Sequence, residues 1–308
     1  MTGKFIYKYF FRPTLPIRYH LKHFGLMGWI SLVQGEKQMK KAALNLAPIT
    51  LANDHQLECS YLTGEKYWHQ TIFCAYSLAK VMQGRVRINI YSDGSLSPQK
   101  INLFNSVLNG VAIISPDAML NELDGKLPIK KYPSLRHLRE SSPFFRKLVD
   151  MRLNNRYLVQ LDSDMLFFNY PTELVEAYIN GTSYFMEDKI EASYYVLPEK
   201  QIEEQFGLQM KRKINSGILA YNSTAINWDF VETVCKYLLD KVPVIHPPLL
   251  EQTINAIIVS RLNAEPLNQR YNILYNNKHN ILSADDVVRH YIFKAREFYL
   301  TTQWKQVL

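Results

Sequence analysis

The sequence predicts an α/β protein with a mainly parallel central sheet and helices on both of its faces. Three observations carry this. Short apolar runs alternate with segments of helical period along most of the chain. The run Tyr157, Leu158, Val159 and Leu161 is nearly continuous, as a central strand covered on both faces requires. A length of 308 residues with a 47% hydrophobic share suits one large packed domain, or a domain with an appendage.

Each element has its own signal. Residues 57–62, "LECSYL", read as the first strand. Trp68, Ile72, Ala75, Ala79 and Met82 recur at helical spacing, which predicts a helix over 68–82. "RVRINIY", 85–91, alternates strictly, the pattern of a half-buried strand. Ser97-Pro98 opens a helix running to about Leu108, with Ser as N-cap and Pro in the first turn. "VAII", 111–114, is the third strand. A helical region broken near Pro143 leads to the strand before Asp162, and Pro171 starts the helix after it. Residues 183–187 and 216–221 are further strands. Helices follow over 227–240 and 248–262, the second burying Leu250, Ile254, Ile257, Ile258 and Leu262.

The charge is unevenly placed. Residues 1–50 hold eight Lys or Arg against Glu36 alone, and so carry +7 of the formal +8. The same segment is rich in aromatic and aliphatic residues. That composition suits an anionic membrane surface, with nucleic acid the less favoured partner. It equally suits a helical extension in which Leu26, Trp29, Ile30 and Val33 pack on the main domain. Its longest apolar run, 25–33, is too short to span a bilayer. Charge and proline interrupt "MTGKFIYKYFFRP", which therefore does not read as a signal peptide. Three widely spaced cysteines suit reduced, buried thiols. The expected place is the cytoplasm, at the inner face of a membrane if the basic arm is a membrane contact.

Asp162 and Asp164 stand at the carboxyl end of the apolar strand, where open α/β sheets place their ligands. On an extended chain two such side chains point the same way. Unpaired, they repel, and burial raises the cost; a divalent cation removes the repulsion. No P-loop and no G-x-G-x-x-G follows any predicted strand, which argues against a dinucleotide or P-loop enzyme.

In this setting the chain resembles glycosyltransferases of the GT-A, or nucleotide-diphospho-sugar transferase, fold. Within these it is most similar to the family 8 type, which includes glycogenin and bacterial lipopolysaccharide glycosyltransferases. Five blocks in order carry the resemblance: "SYLTGEKYWHQTIFCAYSL", "SPFFRKLVDMRLNNRYLVQLDSDMLFF", "INSGILAYN", "LLEQTINAII" and "VVRHYIFKAREFY". They place the GT-A domain over 51–308 and leave 1–50 as a basic aromatic arm or helical extension. Two positions depart from the family pattern: Glu251 replaces the usual Asp, and Thr253 stands where a second Asp is common.

The resemblance implies transfer of a sugar from a UDP-sugar donor, with retention of configuration, to an unidentified acceptor. The basic arm adds a lipid-linked glycan or lipopolysaccharide as the acceptor class. Asp162, Asp164 and His290 are the implied ligands of Mn²⁺ or Mg²⁺, a donor set that Mn²⁺ tolerates well. Thr63, Tyr67, Ser163 and Lys294 are implied on the nucleotide and its diphosphate, with Arg296 an alternative to Lys294. Arg146, 16 residues before Asp162, offers a fixed fork of donors to phosphate or sugar. Asn215 and Gly217 are implied at the sugar, with Glu251 and Gln252 beside its reactive carbon. Glu187 and Asp188 are a second carboxylate pair at a strand end, placed for an acceptor or for solvent.

Two other readings compete. A haloacid-dehalogenase-type phosphatase uses the first Asp of Asp-x-Asp as nucleophile, and Asp285-Asp286 imitates its later metal pair. Against it, more than 150 residues precede the motif here, and Leu166 stands where that family has Thr or Val. The other is a non-catalytic membrane- or nucleic-acid-associated binding protein.

Overall fold

The computed structural model describes residues 12–153, 156–190, 195–242, 244–276 and 281–308. Ten strands organise it: β1 (Leu57–Thr63), β2 (Val86–Ser92), β3 (Ala112–Ile114), β4 (Tyr157–Leu161), β5 (Met165–Phe167), β6 (Tyr184–Glu187), β7 (Ile214–Asn222), β8 (Glu265–Pro266), β9 (Tyr271–Leu274) and β10 (Val288–Tyr291). Seven form the main sheet in the order β8-β6-β7-β4-β1-β2-β3. Every pairing in it is parallel except those of β7, which runs against both β4 and β6. A second sheet, β9-β10-β5, takes up the chain just after Asp164, with β10 antiparallel to β5. A short parallel pairing joins residues 49–50 to 108–109.

The helices are α1 (Arg12–Ala43), α2 (Trp68–Val81), α3 (Pro98–Val107), α4 (Leu120–Lys126), α5 (Pro133–Ser141), α6 (Pro143–Val149), α7 (Thr172–Asn180), α8 (Glu199–Phe206), α9 (Trp228–Lys241), α10 (Pro247–Arg261) and α11 (Ala295–Thr301). They divide between two hydrophobic cores, because successive residues of a strand face opposite sides. Val159 and Leu161 of β4, with Ile218 and Ala220 of β7, join a core with α1, α2, α3, α7 and α11. Leu158, Leu219 and Tyr221 turn the other way, into a core with α4, α5, α6, α9 and α10. The expected mainly parallel sheet with helices on both faces is present.

Three local expectations are corrected. β2 is buried on both faces save for Arg87, not half-buried. Its polar Asn89 is accommodated because the amide donates to Glu58 at 2.6 Å, and Arg156 pairs with the same carboxylate at 2.8 Å. Ser97 does precede α3, but its side chain makes no capping hydrogen bond. Residues 162–164 are not an extended continuation of β4; they are a bend that carries the chain from one sheet to the other.

The N-terminal segment also differs from expectation. α1 is kinked at Gly25 (φ 71°, ψ 177°). Lys4 and Lys8 lie outside the described residues. Beyond the kink, Gly28, Leu32, Gly35, Met39 and Ala43 form the buried stripe, and α1 packs on α11 and α2. Leu26, Ile30 and Val33, expected to pack, face outward, and Trp29 is half-buried. The reason is steric. At Gly35 the helix comes so close to α11 that an added Cβ would lie 2.4 Å from the Leu300 carbonyl oxygen. Leu32 and Met39 beside it enter the main core, each worth about 2 kcal/mol on burial. A boundary at residue 50 therefore does not separate two cores.

This contact is directly testable. Gly35→Ala forces backbone against backbone and is expected to destabilise the protein by about 2 kcal/mol, the usual cost of overpacking. Urea unfolding measures it; an unchanged midpoint would show that α1 slides on α11 without cost.

Candidate active site

The site begins where β4 ends. The Asp162 amide donates to the Gly217 carbonyl at 2.8 Å, and the Asp164 carbonyl accepts from the Tyr291 amide at 2.9 Å. The bend is thus fastened to β7 on one side and to β10 on the other. Its two carboxylates meet His290 of β10, and one ligand atom from each of the three residues lies within 4.8 Å of the others. His290 Nε2 is 3.1 Å from Asp164 Oδ1, while its Nδ1 is buried with no partner among the described residues. Two carboxylate oxygens and one imidazole nitrogen fit Mn²⁺ well and Mg²⁺ less so. Gly217 is required beside them: a Cβ there would sit 2.6 Å from His290 Cε1 and 2.7 Å from Asn215 Oδ1.

The cluster is charge-balanced by the protein. Burial alone would push the Asp164 carboxyl up, but His290, through its charge and hydrogen bond, and Arg296 outweigh it and hold Asp164 well below the usual carboxylate range. Arg296 Nη2 reaches Asp164 Oδ2 at 3.1 Å. Asp162 Oδ1 accepts from Lys147 Nζ at 2.7 Å, and the same ammonium stands 3.5 Å from Glu251 Oε1. Burial draws Lys147 toward the neutral form, but Asp162 first and Glu251 second hold it charged. For Glu251 burial wins, and its carboxyl lies above the usual range despite Lys147.

The nucleotide-side residues lie at the ends of β1 and β2. Thr71 of α2 donates to the Thr63 hydroxyl at 2.7 Å and lies 2.8 Å from the Ser163 hydroxyl, so three hydroxyls join β1, α2 and the Asp-x-Asp bend. Tyr67 is 42% exposed at the start of α2, with the Lys66 ammonium 4.9 Å from its ring centre. Arg146 turns away from the carboxylates: its Nη1 donates to the Asp93 carbonyl at 2.6 Å, at the end of β2. It is the next residue, Lys147, that meets Asp162. Lys294 is exposed at the N-cap of α11, and Arg296 is the cation that reaches Asp164.

The sugar-side residues form a second group. Asn215 donates to Asp188 Oδ2 at 3.2 Å and accepts from the Gly217 amide at 2.9 Å. Asp188 also accepts from the Ile190 amide at 2.9 Å and from the Tyr275 hydroxyl. Glu187 is exposed. Gln252 is tied to the backbone of β7: its Oε1 accepts from the Ser216 amide at 3.1 Å and its Nε2 donates to the Ile214 carbonyl. Glu251 is buried against Ser216 and Asn255. Thr253 hydrogen-bonds the Leu249 carbonyl and the Val196 amide. Asp286 does not form a second metal pair with Asp285, since its carboxylate is held by Arg289 at 2.7 Å and by the Ser283 amide.

Sequence reasoning missed Lys147, Thr71 and Tyr275. Lys147 and Thr71 each had a signal, a polar residue inside an otherwise apolar helical stripe.

No protein-family model matches the chain, and no curated protein is similar to it in sequence. Among solved structures, it is similar to the galactosyltransferase LgtC in complex with donor and acceptor sugar analogues, at 13% identity over 82% of this chain and 100% of that one, with a TM-score of 0.48. It is similar to mouse xyloside xylosyltransferase 1 at 12% identity, over 79% and 98% of the two chains, with a TM-score of 0.45. It is also similar to the glycosyltransferase GlyE of Streptococcus pneumoniae at 14% identity, over 83% and 62%, with a TM-score of 0.45.

The Lys147 bridge makes a prediction. Lys147→Met leaves Asp162 and Glu251 facing each other without a cation and is expected to lower stability by about 3 kcal/mol, as breaking a buried ion pair does. Adding Glu251→Gln should return part of that loss. Urea unfolding of the two single variants and the double variant measures the coupling; strict additivity would dissolve the bridge.

Proposed function

We propose that the protein is a metal-dependent glycosyltransferase that moves a sugar from a UDP-sugar to a glycan-type acceptor, with retention. The observation that carries this is the Asp162–Asp164–His290 group, set at the junction of two sheets between hydroxyl-bearing residues on one side and amide- and carboxylate-bearing residues on the other. The donor base and the stereochemistry rest on the sequence resemblance alone.

In this reading Asp162, Asp164 and His290 hold Mn²⁺ or Mg²⁺. Bound there, the cation supplies Lewis-acid neutralisation of the leaving diphosphate. Lys147 fixes the Asp162 carboxylate, and its buried charge cannot drift toward solvent. Arg296, exposed on its outer side, leaves Asp164 to meet a phosphate; Lys294 and Arg146 flank it. Thr63, Ser163 and Tyr67 line the nucleotide side. Asn215 and Gly217 meet the donor sugar, whose approach the missing Cβ permits. Glu251 and Gln252 act from behind β7, through Ser216, as positioning residues. The phosphatase alternative is disfavoured because Asp162 is paired with Lys147 and Asp286 is occupied by Arg289.

The test is a screen of nucleotide sugars for Mn²⁺-dependent hydrolysis. UDP-sugar turnover is expected to vanish in excess EDTA and in Asp164→Ala, whose fold stays intact by circular dichroism. His290→Ala should weaken Mn²⁺-dependent UDP binding by roughly 10-fold or more, as measured by calorimetry. Full activity in EDTA would refute the reading. UDP binding without any turnover would favour a binding protein.

The same proposal places the protein at an anionic membrane, toward a lipid-linked acceptor and on the cytoplasmic side. Among the described residues no helix is long and apolar enough to cross a membrane. α1 instead turns Leu26, Met27, Ile30 and Val33 outward, flanked by exposed Lys22, Lys37 and Lys41. Apolar side chains beside cations suit an interfacial helix, each cation contributing about 1 kcal/mol near an anionic surface. Ile30→Glu with Val33→Glu alters this face without touching the buried stripe. Co-sedimentation with phosphatidylglycerol vesicles is expected at low salt, weakened at high salt and lost in the double variant. Indifference of the intact protein to vesicles at low salt would end the membrane reading.

A further inference from the structure

Phe293 adopts φ 48°, in the left-handed region. Bulky side chains are genuine outliers there, and such strain persists only where surrounding structure imposes it. The other described non-glycine residues at positive φ are Gln83, Lys213 and Asn263, all polar and flexible. Phe293 is also 50% exposed. A lone exposed apolar residue is ordinary. One held in a strained conformation and stacked on a second ring is not.

That second ring is Tyr275, with centres 5.9 Å apart and planes inclined by 19°. The loops that carry the two rings are clamped side by side. The Ile292 amide donates to the Leu274 carbonyl at 3.0 Å, and the Ala295 amide to the Tyr275 carbonyl at 3.1 Å. The Tyr275 hydroxyl donates to Asp188, which accepts from Asn215, which in turn holds the Gly217 amide beside His290. The stacked pair is therefore joined through side chains to the carboxylate–imidazole group, on its β6/β7 side. Thr63, Asp93 and Arg146 lie on the opposite, β1/β2 side.

The geometry points to Phe293 and Tyr275 as a binding platform for a pyranose ring of the acceptor. A pyranose presents one face of C–H bonds and a rim of hydroxyls. Aromatic rings with polar groups at their edge complement both, and the Tyr275 hydroxyl, held by the buried Asp188, supplies that edge. A nucleobase would also stack, but Thr63, Tyr67 and Ser163, the residues proposed to line the nucleotide side, lie across the site, and only the phosphate residues Lys294 and Arg296 adjoin Phe293. The acceptor identity rests on the glycosyl-transfer reading; the sugar-binding platform itself does not.

Methyl α- and β-pyranosides of glucose and galactose serve as probes, titrated by saturation-transfer NMR with Mg²⁺, with and without UDP. At least one is expected to bind and to receive saturation mainly on the ring protons of one face. Phe293→Asn, which tolerates positive φ, should weaken that binding roughly 10-fold, the scale of one lost aromatic contact. Phe293→Tyr should restore it. Calorimetry of UDP with Mg²⁺ should be unmoved by Phe293→Asn. The proposal falls if no pyranoside binds the unaltered protein, or if Phe293→Asn binds as tightly. It falls equally if UDP binding weakens in parallel, which would assign the ring to the nucleotide or to the fold. Pyranoside binding that depends on Phe293, in a protein that does not bind UDP, would overturn the transfer reading and leave the platform standing.

Discussion

The two carboxylates of Asp162 and Asp164 repel each other, and the rest of the site is arranged around that repulsion. With ligand atoms within 4.8 Å, two such charges oppose each other by about 3 kcal/mol at an effective dielectric constant near 20. Lys147 from α6, His290 from β10 and Arg296 from α11 each answer part of it. Lys147 comes from the middle of the chain, and His290 and Arg296 lie six residues apart more than 140 positions later. Holding the bend in place therefore requires the large sheet, the small sheet and the C-terminal helix at once. The change of sheet at residues 162–164 separates the carboxylates from a regular ladder and turns them toward a common point.

The site also has a polarity along the sheet order. Hydroxyls and the Arg146 guanidinium lie toward β1 and β2, and the carboxylates at β4. Amides, Asp188 and the aromatic pair lie toward β7 and β6. A ligand lying across the strand ends would meet a phosphate-compatible half and then a sugar-compatible half.

Much of this was legible in the sequence, because apolar runs and helical period record burial directly. β1, α2, β4, α9 and α10 fall within one or two residues of their expected bounds. The second sheet was not legible: β5 has three residues and β9 and β10 four each, too short for alternation to separate them from a loop. The Lys147 contact was not legible because Arg146 and Lys147 are one residue apart, which on a helix is a rotation of about 100°. Only the packing of α6 decides which of two adjacent cations faces Asp162. The outward turn of Leu26, Ile30 and Val33 was hidden for another reason. Hydropathy marks large apolar residues as the contact, whereas close helix approach selects glycine.

The seat of α1 on α11 has a consequence for the order in which the molecule is made. Gly28 and Gly35 find their partners at Glu297 and Leu300, more than 250 positions later in the chain. A ribosome adding roughly 5–20 residues per second needs on the order of 10 to 50 seconds to supply them. Throughout that interval the face of α1 that carries Gly28 and Gly35 lacks its α11 partner, although α2 is already made, alongside an outer face that is apolar and cationic from the start. The nascent chain therefore presents a helix with an apolar, cationic outer face and an inner face only partly covered until α11 is made.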